Sequence, residues 1–193
     1  MTLTKEQIKQ ALLEYTRIEI PPEQYHDFVR AAVLIPLFPE NNELSVLLTV
    51  RTHEVETHKG QISFPGGLRD ATDRDAVHTA LRETEEELGI SPNGIEVLGM
   101  LDDLSTPTGF IITPFVGHLP NRPRLRLNAS EVAETFSVPL SFFLEDKNAR
   151  WEMRERNGFQ MKVWFYQYGK YLIWGATAAI IRNLLKHAAP KNT

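Results

Sequence analysis

The run Arg82-Glu83-Thr84-Glu85-Glu86-Glu87 puts four carboxylates within the five positions 83–87, a poor composition for a free-standing helix. It lies in the stretch with the clearest helical periodicity of the chain. Val77, Ala80, Leu81, Thr84 and Leu88 recur at helical spacing, and Gly89 follows as the expected residue just past the helix end. On a helix, Glu83, Glu86 and Glu87 fall at i, i+3 and i+4 and share a face. Like charges about 6 Å apart repel by roughly 0.7 kcal/mol in water and about 3 kcal/mol at an effective dielectric near 20. The run also occupies the C-terminal half of the helix, where the macrodipole disfavours negative charge. A bound divalent cation converts that repulsion into coordination, and oxygen-only donors suit hard ions such as Mg²⁺ or Mn²⁺. A solvated acidic face is the plainer alternative. The Gly66-Gly67 turn upstream, able to bring backbone carbonyls close to a ligand, favours the metal.

The rest of the chain reads as helices bracketing strands. Residues 3–17 carry Ile8, Leu12 and Tyr15 on one helical stripe, with Thr4 and Gln7 spaced as a capping box and Pro21-Pro22 closing the element. Residues 30–38 and 44–51 are β-rich apolar runs joined by Pro-Glu-Asn-Asn-Glu, which predicts a hairpin. Thr72, with Asp75 three residues on, is the expected N-cap of the acidic helix, and Asp73 and Asp75 suit its positive end. Residues 95–101 and 111–118 read as strands around the loop Asp-Asp-Leu-Ser-Thr-Pro-Thr-Gly. Residues 136–144 form an apolar patch, residues 151–153 and 161–166 late strands, and residues 174–188 a closing helix. This order predicts an α/β fold, a mixed sheet bracketed by helices, in one domain over residues 1–193. Residues 1–29 are its N-terminal helix and link, and residues 30–185 its core.

Composition removes several function classes. There is no cysteine among the 193 residues, which excludes disulfides, zinc knuckles and thiol nucleophiles. A formal net charge of −4 gives no broad attraction to nucleic acid or anionic lipid, so phosphate handling needs local neutralisation. No segment approaches the roughly 20 apolar residues of a membrane helix, and the start Met-Thr-Leu-Thr-Lys-Glu-Gln lacks a signal-peptide core. The expectation is a soluble cytoplasmic protein with no nucleic-acid or membrane partner, its oligomeric state open. P-loop, HEXXH, GXSXG and dinucleotide-binding glycine motifs are absent.

The segment from Gly67 to Ile90, with Arg82-Glu83, Glu86-Glu87 and Gly89, resembles the Nudix box, GX5EX7REUXEEXGU with U bulky and apolar. Thr84 replaces one apolar position. One residue is inserted in the first half, so the expected Glu position holds Asp73 counted from Gly67, or Arg74 counted from Arg82. Asp73 and Asp75 are both candidates to support Arg82 in its place. Upstream, Leu47-Leu48-Thr49-Val50-Arg51, Gly60 and Phe64-Pro65-Gly66-Gly67 are similar to the signature of the coenzyme A pyrophosphatase branch, which tolerates the insertion. Thr52 and Glu56 depart from that signature where Ser or Ala, and Arg, are usual. Ile173-Trp174-Gly175-Ala176-Thr177 is also similar to this branch.

The resemblance implies a Nudix-type α/β/α sandwich and metal-dependent hydrolysis of the pyrophosphate bond in coenzyme A and its derivatives, giving 3′,5′-ADP and 4′-phosphopantetheine. Hydrolysis of another nucleoside diphosphate conjugate such as ADP-ribose or NADH is the alternative, followed by an inactive nucleotide-binding module. Implied metal ligands are Glu83 and Glu87, with Glu86 a further ligand or water-orienting carboxylate and a carbonyl at Gly66 or Gly67 an additional donor. Arg82, Glu83 and Glu86 are the implied catalytic group. The proton acceptor stays open among Glu86, Glu131 and Glu134. Arg51, His58 and Gln61 flank the glycine loop as candidate phosphate-binding residues.

Overall fold

The computed structural model describes residues 2–52, 60–156 and 159–189. The first helix, α1 (Lys5–Glu14), has the expected capping box: Thr4 Oγ1 accepts from the Gln7 amide at 3.2 Å, and Gln7 Oε1 from the Thr4 amide at 2.9 Å. It stops short of residue 17 because Tyr15 turns extended and its hydroxyl donates to Asp102. Strands β1 (Val29–Glu40) and β2 (Glu43–Arg51) form the predicted hairpin. Asn41 and Asn42 hold φ of 50° and 66°, the left-handed pair that matches the twist of a two-residue hairpin. Next come β3 (Ile62–Ser63), β4 (Gly66–Leu68), α2 (Ala76–Leu88), β5 (Glu96–Met100), β6 (Leu104–Ser105), β7 (Phe110–His118), β8 (Val132–Pro139) and α3 (Leu140–Leu144). The chain closes with β9 (Ala149–Arg156), β10 (Phe159–Tyr168), β11 (Tyr171–Trp174) and α4 (Gly175–Ala188).

The main sheet runs β3-β2-β1-β7-β5, with β4 on β1, β6 on β7 and β8 on β2. It is mixed: β1 and β7 are parallel over residues 29–37, and the other pairs are antiparallel. Alternation along β1 sorts the core. Ala32, Leu34 and Phe38 meet the α2 side, where Ala80 and Leu88 pack, while Ile35 and Leu37 meet α1 and α4 through Ile8, Leu12, Ile180 and Leu184. The sheet is therefore sandwiched between α2 and the α1–α4 pair, the α/β/α arrangement expected.

Three features lie beyond the expected pattern. The short β6 sits in the predicted loop after β5. The apolar patch at 136–144 divides into the end of β8 and α3. The late strands leave the main sheet altogether and form a separate sheet, β11-β10-β9, with α4 packed on it. Among the described residues, no helix is long and apolar enough to cross a membrane.

Candidate active site

Helix α2 begins later than predicted. Asp75, not Thr72, is its N-cap, with Oδ1 accepting from the His78 amide at 2.8 Å. Thr72 instead closes a local turn, donating its amide and hydroxyl to Asp70 Oδ1 at 2.8 and 2.7 Å. The delay frees Asp73 to turn inward, where its carboxylate is fully buried. Arg82 donates Nε to Oδ1 and Nη2 to Oδ2, both at 3.0 Å. Thr79 Oγ1 and the Asp70 amide donate to Oδ2 at 2.9 Å, and His78 Nδ1 lies 2.9 Å from Oδ1. The Arg82 guanidinium first, then these donors, hold Asp73 well below the usual carboxylate range. The supporting carboxylate for Arg82 is thus Asp73 and not Asp75. Nothing in the spacing of His78 and Thr79 reveals this role, because it depends on the chain before α2 folding back onto them.

Arg82 uses its remaining donors on the acidic face of the helix and on the chain beside it. Its Nη1 reaches Glu83 Oε1 at 2.9 Å and Glu86 Oε2 at 3.0 Å, and Nη2 reaches the Leu68 carbonyl at 3.3 Å. Gly89 ends the helix at φ 70° as expected, and Thr84 satisfies its buried hydroxyl on the Ala80 carbonyl at 2.6 Å. The three carboxylates do not share one environment. Glu86 is exposed, Glu83 is mostly covered, and Glu87 is buried at 3% exposure.

Glu87 carries the largest strain of the three. Its Oε2 has no hydrogen-bond partner within the protein, although the Gly66 amide donates to the carboxylate. Burial pushes its carboxyl up to about 8; the charges of Glu131 and Glu83 add to this, and Arg51 and Gly66 oppose it. Burial likewise raises Glu83, against the pull of Arg82. The glycine loop presses on this pair: a Cβ at Gly67 would lie 2.4 Å from the Glu83 carboxyl carbon. At Gly66, φ is 152° and a Cβ would lie 2.3 Å from the Ala32 carbonyl oxygen. Both positions require glycine, the first for the carboxylate and the second for the backbone.

Strands β2 and β8 supply the opposite wall. Arg51 ends β2 with Nε buried and unbonded, and its charge bears on Glu87. Its backbone is tied to the loop, the Arg51 amide donating to the Gln61 carbonyl at 3.0 Å. A bulge in β8 places Val132, instead of Ala133, opposite Arg51. Val132 thereby joins Leu47 and Leu88 on the α2 side, and Glu131 beside it acts electrostatically on Glu83 and Glu87. Glu134 pairs with Lys170 at 3.1 Å instead. The structure therefore brings together Glu83, Glu87, Gly67, Arg51 and Glu131, with Arg82 and Glu86 at the rim. His58 and Glu56 lie outside the described residues.

The donors here are all oxygen, the type a hard cation takes. Among the described residues, no three acidic or histidine side chains converge tightly enough to enclose an ion alone. The residues nevertheless fit a divalent cation, since a buried carboxylate oxygen without a partner, beside two further carboxylates, is otherwise costly.

The family model described as the NUDIX domain matches residues 28–158. An uncharacterized Nudix hydrolase, NudL, of Photorhabdus laumondii is 42% identical over 85% of this chain and 88% of its own length. The Escherichia coli K12 NudL is 40% identical over 80% of each chain. Among solved structures, a NUDIX hydrolase from Alicyclobacillus acidocaldarius superposes with a TM-score of 0.55 at 18% identity, covering 84% of this chain and 93% of that one. A MutT/nudix family protein from Enterococcus faecalis gives a TM-score of 0.55 at 16% identity, over 96% of this chain and 74% of that one. The chain belongs to the Nudix hydrolase family, enzymes that hydrolyse the pyrophosphate bond of nucleoside diphosphate conjugates with divalent metal ions.

Proposed function

We propose that this hydrolase cleaves the pyrophosphate of coenzyme A and its derivatives, releasing 3′,5′-ADP and 4′-phosphopantetheine. The observation that carries the reading is the convergence of two motifs on one wall-to-wall site. Arg51, which closes the Leu-Leu-Thr-Val-Arg run, faces Glu87 of the acidic helix, and the Phe64-Pro65-Gly66-Gly67 run meets the same carboxylates, Glu87 through the Gly66 amide and Glu83 at Gly67. Glu83 and Glu87, with the Gly67 carbonyl, hold the cation. Bound Mg²⁺ or Mn²⁺ supplies Lewis acidity, lowering the pKa of water and neutralising phosphate charge. Arg51 supplies the cation beside Glu87 that meets a substrate phosphate, and Gln61 fixes the strand beside it through its carbonyl. Arg82 orients Glu83 and Glu86 and is itself anchored by Asp73.

For the proton acceptor, Glu131 is the stronger candidate. Its charge reaches both Glu83 and Glu87, and the Asn128 side-chain Nδ2 donates to its Oε1 at 2.9 Å, which orients it. Glu86 is exposed and occupied by Arg82.

The test is product analysis by chromatography after incubation with CoA, ADP-ribose or NADH, each with Mg²⁺, Mn²⁺ or EDTA. Metal-dependent 3′,5′-ADP formed from CoA, well ahead of turnover of the other two, is the expected result. Preference for ADP-ribose or NADH would overturn the substrate and leave the pyrophosphate chemistry standing. Silence across a wider pyrophosphate panel would overturn the reading as an active enzyme.

A further inference from the structure

The segment Ile173–Thr177 has no place in the chemistry above, yet it reaches the strand that leads into the glycine loop. Strand β3 has two residues and forms an edge of the main sheet. On its inner side, the Gln61 carbonyl accepts from the Arg51 amide at 3.0 Å, and the Ser63 carbonyl from Thr49 Oγ1 at 3.1 Å. Strand groups alternate, so the Ile62 carbonyl between them aims at the open edge, where an acceptor lacks a ladder partner. Thr177 fills that position. It lies in the first turn of α4, is 6% exposed, and donates Oγ1 to the Ile62 carbonyl at 2.9 Å across 115 residues of sequence. Strand β11, which leads into α4, packs on β3 as well.

We propose that Thr177 is a positioning residue for the active-site loop. Held between Thr49 on one edge and Thr177 on the other, Ile62 and Ser63 fix the entry to Phe64–Gly67. At the far end of that stretch Gly67 lies against Glu83, and the Gly66 amide donates to Glu87. A shift of β3 therefore moves backbone against both carboxylates. The inference rests on the reading of Glu83, Glu87 and Gly67 as the metal site, but its loop readout does not.

The experiment compares Thr177→Val, which keeps the shape and removes the donor, with Thr177→Ser, which keeps the donor. Three quantities are read well below the melting temperature: kcat on whichever conjugate the wild type turns over, Mn²⁺ affinity without substrate, and amide hydrogen exchange over residues 60–67. The expected result for Thr177→Val is a kcat loss on the order of tenfold with little change in KM, weaker Mn²⁺ binding and faster exchange in that loop, with Ser restoring most of each. A merely structural role lowers the melting temperature alone. Unchanged kcat, Mn²⁺ affinity and loop exchange in Thr177→Val would overturn the proposal. If the wild type bound no Mn²⁺, the metal reading would fail separately, and loop exchange would still decide on Thr177. Should Val not fold, Thr177→Ala removes the same donor and is read in the same way.

Discussion

Asp73 and Arg82, nine residues apart, form a two-point ion pair, Nε to Oδ1 and Nη2 to Oδ2, each at 3.0 Å. One end is fully buried and the other about a quarter exposed. The pair nails the turn before α2 to the middle of the helix and leaves Nη1 of the same guanidinium on Glu83 and Glu86. A carboxylate shorter than the Glu of the usual box does this work because the chain before Ala76 turns Asp73 inward.

Asp73→Asn strands a mostly covered guanidinium without its counter-charge. The expected cost is about 2–3 kcal/mol of stability, with kcat down by about tenfold as Glu83 loses its orientation. Urea unfolding and steady-state kinetics measure both. Stability within about 0.5 kcal/mol of wild type would mean that the pair contributes nothing net.

Glu87→Gln separates function from stability. Turnover should fall by about 10³-fold or more, since several kcal/mol of charge stabilisation depend on the cation. A carboxyl raised to about 8 in the folded state destabilises the fold above its unfolded value near 4.5, increasingly as pH rises. In EDTA the variant should therefore unfold later than wild type, by a margin wider at pH 9 than at pH 5. Mn²⁺ should raise the melting temperature of the wild type and not of the variant.

Gly67→Ala and Gly66→Ala should fail differently. At Gly67 the added methyl meets the movable Glu83 carboxylate, so activity falls by about 10²-fold while the fold persists. At Gly66 it meets the backbone of Ala32 and Val33, and the protein loses stability first. Thermal melts beside activity assays distinguish the two. Equal melting temperatures would contradict the geometry.

Glu131→Gln, Glu86→Gln and Glu134→Gln locate the proton acceptor. Loss of a general base costs about 10²–10⁴-fold in kcat, and this is expected at Glu131 alone. Glu134, paired with Lys170, should be close to neutral. A larger loss at Glu86 than at Glu131 would move the base to the rim of the site.

Glu96 docks α1, accepting from Lys9 at 2.6 Å and Lys5 at 3.1 Å. Hydrogen bonds from Lys9, then Lys5, lower its carboxyl from 4.5 to about 2. A depressed carboxyl contributes stability above its unfolded value, and this is lost as pH falls towards the folded one. The difference in unfolding between wild type and Glu96→Gln should be present at pH 7, shrink from about pH 4.5 to 2, and be smaller in high salt. A difference that held constant down to pH 2 would show that the ion pairs do not form in solution.

Local chemistry made much of this protein legible in its sequence. The capping box at Thr4 and Gln7, the paired Asn41-Asn42 turn, the αL glycine at 89 and the helical spacing of the carboxylates all depend on residues within a few positions of one another. So does the Gly-Gly turn that lets the loop approach. Only the tertiary structure decided the rest. It chose Asp73 over Asp75 for Arg82, set the charge of Glu131 to bear on Glu83 and Glu87 while Glu134 pairs with Lys170, and made β3 the partner of Thr177. It also gave Glu83, Glu86 and Glu87 three different exposures on what spacing alone makes one face. Each of these depends on burial or on a partner far away in sequence: an inward turn before a helix, a one-residue bulge that re-phases β8, or an open strand edge met by another helix. Desolvation and long-range hydrogen bonding, which no local pattern encodes, set those outcomes.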